Sequence, residues 1–243
     1  MDIAEAKLSF SSVEVEQFWS AVALREYAEA NARWQDTHSQ RYEISVPRLV
    51  LPEQGRLLNL WSRQGGAIPF IRRRFPKIDL ENAEISKVML EQARANFPLE
   101  KFVYCDLQNI PWPDESFDAV LSLEMLEHSP APQNILNEIS RVLKKGGQLV
   151  LTCPSLLSEM HLWFADRLLG NHGEGPHRFP SVSEVKNRIE RVGLELVSHR
   201  ATLFWPLEQG SLGRRINHWF EPKLQWFPAC EFGIRQLYEA KKT

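Results

Sequence analysis

Cysteine is scarce in this chain, and its three cysteines cannot build a framework. Cys105, Cys153 and Cys230 lie far apart and form no C-x-x-C pair, which argues against a zinc ribbon and against a disulfide scaffold. A reducing cytoplasm suits such a chain. The N-terminal sequence lacks a basic region followed by an apolar stretch, and no run of about 18 apolar residues occurs. We therefore expect a soluble cytoplasmic protein that is not secreted.

An excess of charge of either sign is also missing. The chain has 29 Lys and Arg against 31 Asp and Glu, a formal net charge of -2. Without a broad positive field, general binding to nucleic acid is not expected. With 243 residues and 43% hydrophobic content, the chain can bury one sizeable core but is short for two full domains. We expect a helical cap over residues 1–40 and one domain over residues 41–243.

The apolar pattern changes after the N-terminal segment. Val15, Phe18, Trp19, Val22 and Tyr27 recur at steps of three and four residues, which is typical of an amphipathic helix that covers something. Short apolar runs then alternate with helical stretches. The candidate strands are residues 56–61, 80–85, 101–105, 117–123, 148–153, 194–204 and 231–239, and helices are expected at 66–74, 86–96 and 132–143. This alternation predicts a doubly wound α/β fold with a mostly parallel sheet covered on both faces.

Local signals predict where several helices begin and end. The sequence KKGG, residues 144–147, is expected to place two lysines in a last helical turn with glycines just beyond it. Ser86 and Ser183 are candidate N-caps, and Gly193 is a candidate C-cap.

Two acidic residues follow candidate strands where an open parallel sheet binds ligands. Ligands lie beyond the carboxyl ends of the strands, near the point where the strand order reverses. Glu84 could accept hydrogen bonds from both hydroxyls of a ribose, or it could be a solvated carboxylate at a helix start. Asp106 could accept a hydrogen bond from an adenine amino group, or it could cap the following turn. Both alternatives stay open for both residues.

The stretch PWPDESFDAVLSLEMLEH, residues 111–128, is the most informative in the chain. Its proline-rich turn leads into a buried strand, and polar residues stand at the exit of that strand. Glu124, Glu127 and His128 could act as base or acid near a substrate. The alternative for the Glu-His pair is a packed, hydrogen-bonded structural role.

The order of these features resembles the class I S-adenosylmethionine-dependent methyltransferases, specifically the methyltransferase type 11 group. The resemblance covers residues 55–154 strongly and 177–197 more loosely. It implies a Rossmann-like sheet of seven strands whose last strand runs antiparallel.

The resemblance also implies roles for particular residues. Glu84 would bind the cofactor ribose, Asp106 would lie beside the adenine, and Leu107 would lie close to that ring. Leu123 and Glu124 would line the pocket beyond the fourth strand. Glu127 and His128 would lie on the acceptor side as catalytic residues.

The match to this family fails at the glycine-rich loop. Where family members read Asp-Leu-Gly-Cys-Gly-Thr-Gly, this chain has Asn59, Leu60, Trp61, Ser62, Arg63, Gln64 and Gly65. Asn59 in place of the acid exchanges a hydrogen bond of about 1.5–3 kcal/mol for one of about 0.5–1.5 kcal/mol, or about ten-fold in affinity. Trp61 and Arg63 matter more, because glycines allow close backbone approach and torsions that side chains disfavour.

Three outcomes are open for this loop. Trp61 could turn into the core under the N-terminal helix while Arg63 points to solvent, which would leave Gly65 and Gly66 to shape a working cofactor loop around Asn59. Arg63 could instead pair with an anionic ligand. In the third outcome the site is empty or occluded, and S-adenosylmethionine binding is weakened or lost.

Three further features have competing interpretations. Arg72–Arg74 could be a solvated helix end or a phosphate or lipid head-group contact. His172, Glu174 and His177 could bind a metal or face a substrate, and we expect no metal site. The aromatic and basic segment at about 205–230 is expected to form a cover over the sheet; a partner or homodimer surface and membrane association are the alternatives, with membrane association expected least.

Two functions follow from the resemblance. The first is a methyltransferase that acts on an oxygen or nitrogen of a small-molecule or glycan-like acceptor, with weakened donor binding. The second is a catalytically inactive relative that serves as a binding or regulatory partner of another protein. A nicotinamide-dependent oxidoreductase is disfavoured because no G-x-G-x-x-G motif follows the first candidate strand.

Overall fold

The computed structural model describes residues 10–21, 35–106, 109–159, 175–204 and 210–243. The strands are β1 Arg56–Leu60, β2 Asp79–Glu84, β3 Lys101–Tyr104, β4 Phe117–Leu123, β5 Leu143–Pro154, β6 Leu194–Thr202 and β7 Arg235–Lys242. The helices are α1 Ser12–Ala21, α2 Gln35–Ser45, α3 Ile68–Arg74, α4 Lys87–Asn96, α5 Pro132–Val142, α6 Val182–Arg191 and α7 Gly210–Phe220. Short 3-10 turns occupy Val46–Arg48, Leu126–His128, Glu221–Lys223 and Ala229–Phe232.

The seven strands form one sheet in the order β3-β2-β1-β4-β5-β7-β6. Strands β1 to β5 run parallel, and β7 is antiparallel to both β5 and β6. The predicted Rossmann-like fold with an antiparallel last strand is therefore confirmed. The strand order reverses between β1 and β4, so the carboxyl ends of these two strands open a crevice where this fold binds ligands.

Both faces of the sheet are covered. One face packs Val15 and Trp19 of α1 together with apolar residues of α5 and α6, and the other packs apolar residues of α3 and the 3-10 turn at Val46–Arg48. Strand β4 is buried along nearly its whole length, as expected for a central parallel strand. The predicted boundary at residue 40 falls inside α2, and the division into a cap and a domain stays a prediction.

Of the predicted helix caps, some are confirmed by the structure and one is wrong. Ser86 caps α4 by accepting a hydrogen bond from the Met89 amide at 3.3 Å, which confirms that assignment. Ser183 is not a cap, because α6 begins earlier and Ser181 accepts from the Glu184 amide. Gly193 follows α6 with a φ of 74°, which fits the predicted helix end.

The prediction for KKGG is wrong, because α5 ends at Val142 and the two lysines already belong to β5. Lys144 Nζ instead pairs with both carboxylate oxygens of Asp118 at 2.8 and 2.9 Å.

Candidate functional site

The loop after β1 holds two residues with large side chains in a left-handed backbone conformation. Trp61 has a φ of 59° and Arg63 a φ of 52°. This left-handed region costs about 1–2 kcal/mol per residue for side chains other than glycine. The two bulky residues therefore hold a backbone conformation that only compensating interactions of their side chains can maintain.

Those interactions join Trp61 to α1. The Trp61 and Trp19 rings meet edge to face with centroids 5.7 Å apart, and the His128 ring lies 5.2 Å from Trp61 and 5.3 Å from Trp19. Each of these pairs is close to perpendicular, a favoured arrangement for aromatic rings. The indole of Trp61 is thus turned into the core under the N-terminal helix.

Arg63 does not point to solvent but is buried beside the same indoles. Its guanidinium carbon lies 4.9 Å from the Trp19 ring centroid and 5.1 Å from that of Trp61, within the range of a cation–π interaction. Its Nη2 donates to the Glu124 backbone oxygen at 2.8 Å. Trp19, Trp61, Arg63 and His128, hereafter the plug, fill the space between α1 and the loop.

Glu84, the predicted ribose ligand, is fully buried and accepts hydrogen bonds from its own chain. Its Oε2 accepts from the Arg63 amide at 2.6 Å, and its Oε1 accepts from the Ile85 and Ser86 amides at 3.0 and 2.9 Å. Burial raises the pKa of Glu84 to about 7, against the opposing effect of these backbone hydrogen bonds. Both carboxylate oxygens are therefore engaged inside the protein.

Gly65 and Asn59 are also engaged. The Gly65 amide donates to the Ser62 oxygen at 2.9 Å, and a Cβ at Gly65 would lie 2.7 Å from the Phe97 ring. Asn59 Nδ2 donates to Asn82 Oδ1 at 2.9 Å. Gly65 thus serves a tight turn packed against a neighbouring ring, and Asn59 joins β1 to β2.

Glu124 is the centre of an ion cluster. Its Oε2 accepts from Arg41 Nη1 and its Oε1 from Arg235 Nε, both at 2.6 Å. Burial alone would raise the pKa of Glu124, but the Arg235, Arg41 and Arg63 guanidiniums hold it well below the usual range. Burial and the Arg41 charge lower the pKa of nearby His38 to about 3.

His128 and Glu127, the predicted catalytic pair, are buried. His128 Nδ1 lies 3.0 Å from the Pro176 carbonyl oxygen. Because a carbonyl only accepts, the ring carries a proton on Nδ1. Burial, with the Arg63 charge, lowers the pKa of His128 to about 3. Glu127 Oε1 lies 3.9 Å from His128 Nε2, and the catalytic roles of the pair stay predictions.

A cavity of about 190 Å³ lies between α1 and the carboxyl ends of β2 to β4. Asp106 lines it together with Tyr104, Cys105, Val15 and the plug residues Trp61 and His128. Leu123 instead packs in the core on the opposite face of the sheet, and Leu107 lies outside the described residues. The cavity is smaller than the usual small-molecule pocket of about 300–1,000 Å³.

Arg41 and Arg235 also belong to this region, and the sequence pattern did not predict either. Both meet Glu124 across long separations in sequence, which no local pattern signals. The apolar periodicity predicted Trp19 on the buried face of the N-terminal helix, but it did not link Trp19 to Trp61 in particular.

The candidate group of His172, Glu174 and His177 lies partly outside the described residues. His172 and Glu174 fall outside the described residues. His177 Nδ1 lies 2.8 Å from the Gly175 oxygen.

Among the described residues, no helix combines the length and apolar character needed to cross a bilayer.

Comparison with known proteins finds sequence similarity to methyltransferases. The methyltransferase domain family matches residues 63–151. Phthiotriol/phenolphthiotriol dimycocerosates methyltransferase 1 of Mycobacterium ulcerans is 30% identical over 194 residues, which cover 76% of this chain and 69% of that protein.

Solved structures share the fold at low identity. A methyltransferase from a complex with the Haloferax volcanii Trm112 methyltransferase activator has a TM-score of 0.70 at 18% identity, covering 94% of this chain and 97% of that chain. The cyclase SpnF has a TM-score of 0.69 at 16% identity, covering 97% of both chains. At these identities the likeness concerns the fold.

Proposed function

This chain belongs to the class I S-adenosylmethionine-dependent methyltransferases, and we propose that it is a member whose methyl-donor site is closed by its own side chains. Binding of S-adenosylmethionine is then lost or greatly weakened. In this role the protein acts as a binding or regulatory partner of another protein.

The observation that carries the proposal is the position of Arg63. Its guanidinium packs beside the two indoles of the plug, and its backbone amide donates to Glu84 Oε2. A glycine at this position would keep the same backbone amide but would have no side chain in the crevice. The Arg63 side chain therefore fills space that a glycine would leave open beside Glu84, the carboxylate expected to bind the ribose.

The described residues do not fit S-adenosylmethionine in this arrangement. Glu84 is enclosed, the Gly65 amide is used within its turn, and Trp61 forms a wall of the remaining cavity. A donor would have to displace the plug, which requires rupture of ring contacts and of the Arg63–Glu124 hydrogen bond.

Two comparisons bear on roles other than methyl transfer for this fold. SpnF is a cyclase, so a similar fold carries another activity, which agrees with the general independence of fold and function. The Haloferax volcanii structure is a complex with an activator protein, so a similar fold also associates with a protein.

An active methyltransferase is the second candidate. The similarity to the Mycobacterium ulcerans methyltransferase favours it, as does the cavity lined by Asp106. In that case the plug opens to admit the donor, and the acceptor offers an oxygen or nitrogen of a small molecule or glycan-like group.

Calorimetric titration with S-adenosylmethionine and S-adenosylhomocysteine tests the proposal. We expect no binding to the natural chain at about 1 mM ligand, which corresponds to less than about 4 kcal/mol of affinity. The double variant Trp61→Gly with Arg63→Gly places glycine at both left-handed positions and removes the side chains that fill the crevice. It should gain measurable affinity for both ligands.

The matched control is Trp226→Gly with Arg215→Gly, which removes the same two residue types from exposed positions. It should gain no affinity. Circular dichroism and thermal unfolding establish that each variant is folded. Micromolar binding by the natural chain would support the active methyltransferase, and a folded double variant with no gain would exclude occlusion by these two side chains.

A further inference from the structure

The segment that joins β6 to β7 lies at the same edge of the sheet as the crevice. Strand β6 is parallel to β5, and β7 is antiparallel to both. Thus β6 ends, and β7 begins, at the carboxyl edge of the sheet. Helix α7 and the turns that follow it are therefore on the side of the molecule where ligands reach this fold.

This segment is fixed to the sheet by a side chain. Gln225 Oε1 accepts from the Ala201 amide, and Gln225 Nε2 donates to the Ala201 oxygen, both at 2.9 Å. Ala201 belongs to β6, the edge strand of the sheet. The paired hydrogen bonds occupy free backbone groups of that edge and hold the segment in one position.

Helix α7 exposes two of its large apolar residues, while Ile216 and Phe220 are half-buried. Gly213 and Asn217 are buried, whereas Leu212 and Trp219 are exposed. The exposed apolar surface continues beyond the helix in Trp226 and Phe227. These four apolar side chains are between 59% and 70% exposed, the reverse of a helix that packs onto a core. A concentration of exposed apolar side chains marks an interaction surface.

The exposed charged side chains described on this surface are basic. Residues 210–228 contain Arg214, Arg215 and Lys223 against the single acid Glu221, although the whole chain has a net charge of -2. Arg215 and Lys223 are exposed, and Lys223 Nζ lies 3.2 Å from the Trp219 ring centroid. Cations thus stand among the exposed aromatic rings.

The charge and the apolar character of this surface together indicate which kind of partner it binds. A second copy of this chain would bring like charges together across a two-fold axis, which disfavours a homodimer here. An anionic lipid surface complements the cations, while indole and phenyl rings enter the interface between head groups and acyl chains.

We propose that Leu212, Arg215, Trp219, Lys223, Trp226 and Phe227, hereafter the aromatic-basic face, dock the protein onto an anionic lipid bilayer. The protein lies on the membrane surface in this mode, with the carboxyl edge of its sheet towards the lipid. The proposal does not depend on whether the methyl donor binds.

Sedimentation of the full chain with lipid vesicles tests this docking. We expect binding to mixed phosphatidylcholine–phosphatidylglycerol vesicles, little binding to pure phosphatidylcholine, and weaker binding as salt rises. Each basic residue near an anionic surface contributes about five-fold in partitioning. Arg215→Glu with Lys223→Glu should therefore lower the partition coefficient by about thirty-fold or more, and Trp226→Ser with Phe227→Ser should lower it by more than about ten-fold.

Matched controls lie elsewhere on the molecule. Arg73→Glu with Arg74→Glu makes the same change of charge at the far end of α3, at the opposite edge of the sheet. Leu99→Ser removes an apolar side chain that is 97% exposed. Both control variants should bind the anionic vesicles as the natural chain does.

Three results would overturn the proposal. One is equal binding to anionic and neutral vesicles, or no binding to either. The second is a loss in the controls as large as the loss in the face variants. The third is a dimer in sedimentation velocity that Trp226→Ser with Phe227→Ser dissociates, since that would assign the face to a second copy of the chain.

Discussion

His128 shows how burial changes what a titratable side chain can do. Its ring is enclosed by Trp19 and Trp61, and its Nδ1 proton is directed to the Pro176 oxygen. With the pKa lowered to about 3, the ring is neutral near pH 7. General bases work best when their pKa lies near the operating pH, so His128 is a poor general base there. In this arrangement His128 belongs to the plug as an uncharged aromatic ring.

The His128 environment predicts a specific dependence of stability on pH. The pKa falls from 6.5 to about 3 on folding, so the unfolded chain binds the proton more readily. The stabilisation is complete above pH 6.5 and is lost as pH falls towards 3. His128→Phe keeps a ring and removes the titration. In this variant, the free energy of unfolding from urea titration should depend less steeply on pH than in the natural chain. Between about pH 6 and pH 4 the slope should be smaller by up to about 1.4 kcal/mol per pH unit.

His128→Gln is the companion variant for this experiment. It removes the same titration with a different side chain, so its slope should flatten as that of His128→Phe does, even if its stability at neutral pH differs. Slopes equal to that of the natural chain in both variants would contradict the neutral, buried state of this imidazole.

The direction of the Trp61 indole could not be predicted from the sequence. The sequence shows that a glycine is replaced, and that alone predicts strain in the loop. The partner that receives the indole, Trp19, is on α1, and the ring on its other side is His128 after β4. Three distant segments decide the side-chain position, so the local sequence left three outcomes open.

The start of α6 illustrates a competition between two serines. Ser181 has extended backbone angles and its side chain accepts from the Glu184 amide at 3.1 Å. Ser183 lies within the helix, and its hydroxyl is 3.1 Å from that of Ser181. The sequence pattern selected the wrong serine because both precede the apolar periodicity by a plausible spacing. Buried Val182 extends the apolar face towards the N-terminus and makes Ser181 the cap.

This assignment predicts unequal effects of two similar substitutions. Ser181→Ala removes the acceptor for the Glu184 amide and should lower the free energy of unfolding by about 1 kcal/mol. Ser183→Ala, the matched control, should change it by less than about 0.5 kcal/mol. Chemical denaturation measures both, and equal losses would mean that Ser181 is not the cap.

The sequence predicted the order of the strands and helices well, but it did not predict the residues at which some of them begin. Strand β5 begins at Leu143, before the glycines expected to end a helix, because Leu143 pairs with Phe117 of β4 and Lys144 pairs with Asp118 of the same strand. Strand β7 begins at Arg235, after a 3-10 turn at Ala229–Phe232. The alternation of apolar runs predicts the elements, and tertiary pairing sets where they begin.

At the scale of the whole molecule, the cluster around Glu124 joins parts that are remote in sequence. Arg41 on α2 lies 83 residues before Glu124, and Arg235 on β7 lies 111 residues after it. Arg235 Nη1 also donates to Gln40 Oε1. The pattern of strands and helices predicts the sheet, but it has no information on which arginines converge on one carboxylate. The cluster fixes α2 and the last strand to the end of β4.

The ion cluster around Glu124 predicts that a nearly isosteric substitution lowers the stability of the protein strongly. Glu124→Gln removes the negative charge that the Arg41 and Arg235 guanidiniums share while both remain buried. Loss of one partner of a buried ion pair costs about 3–5 kcal/mol, because the other charge is left uncompensated. The free energy of unfolding from urea titration should fall by that amount. Glu53→Gln is the control, because its ion pair with Lys77 is exposed and should contribute less than about 1 kcal/mol. If both variants lose the same small amount, the carboxylate of Glu124 does not hold these segments together.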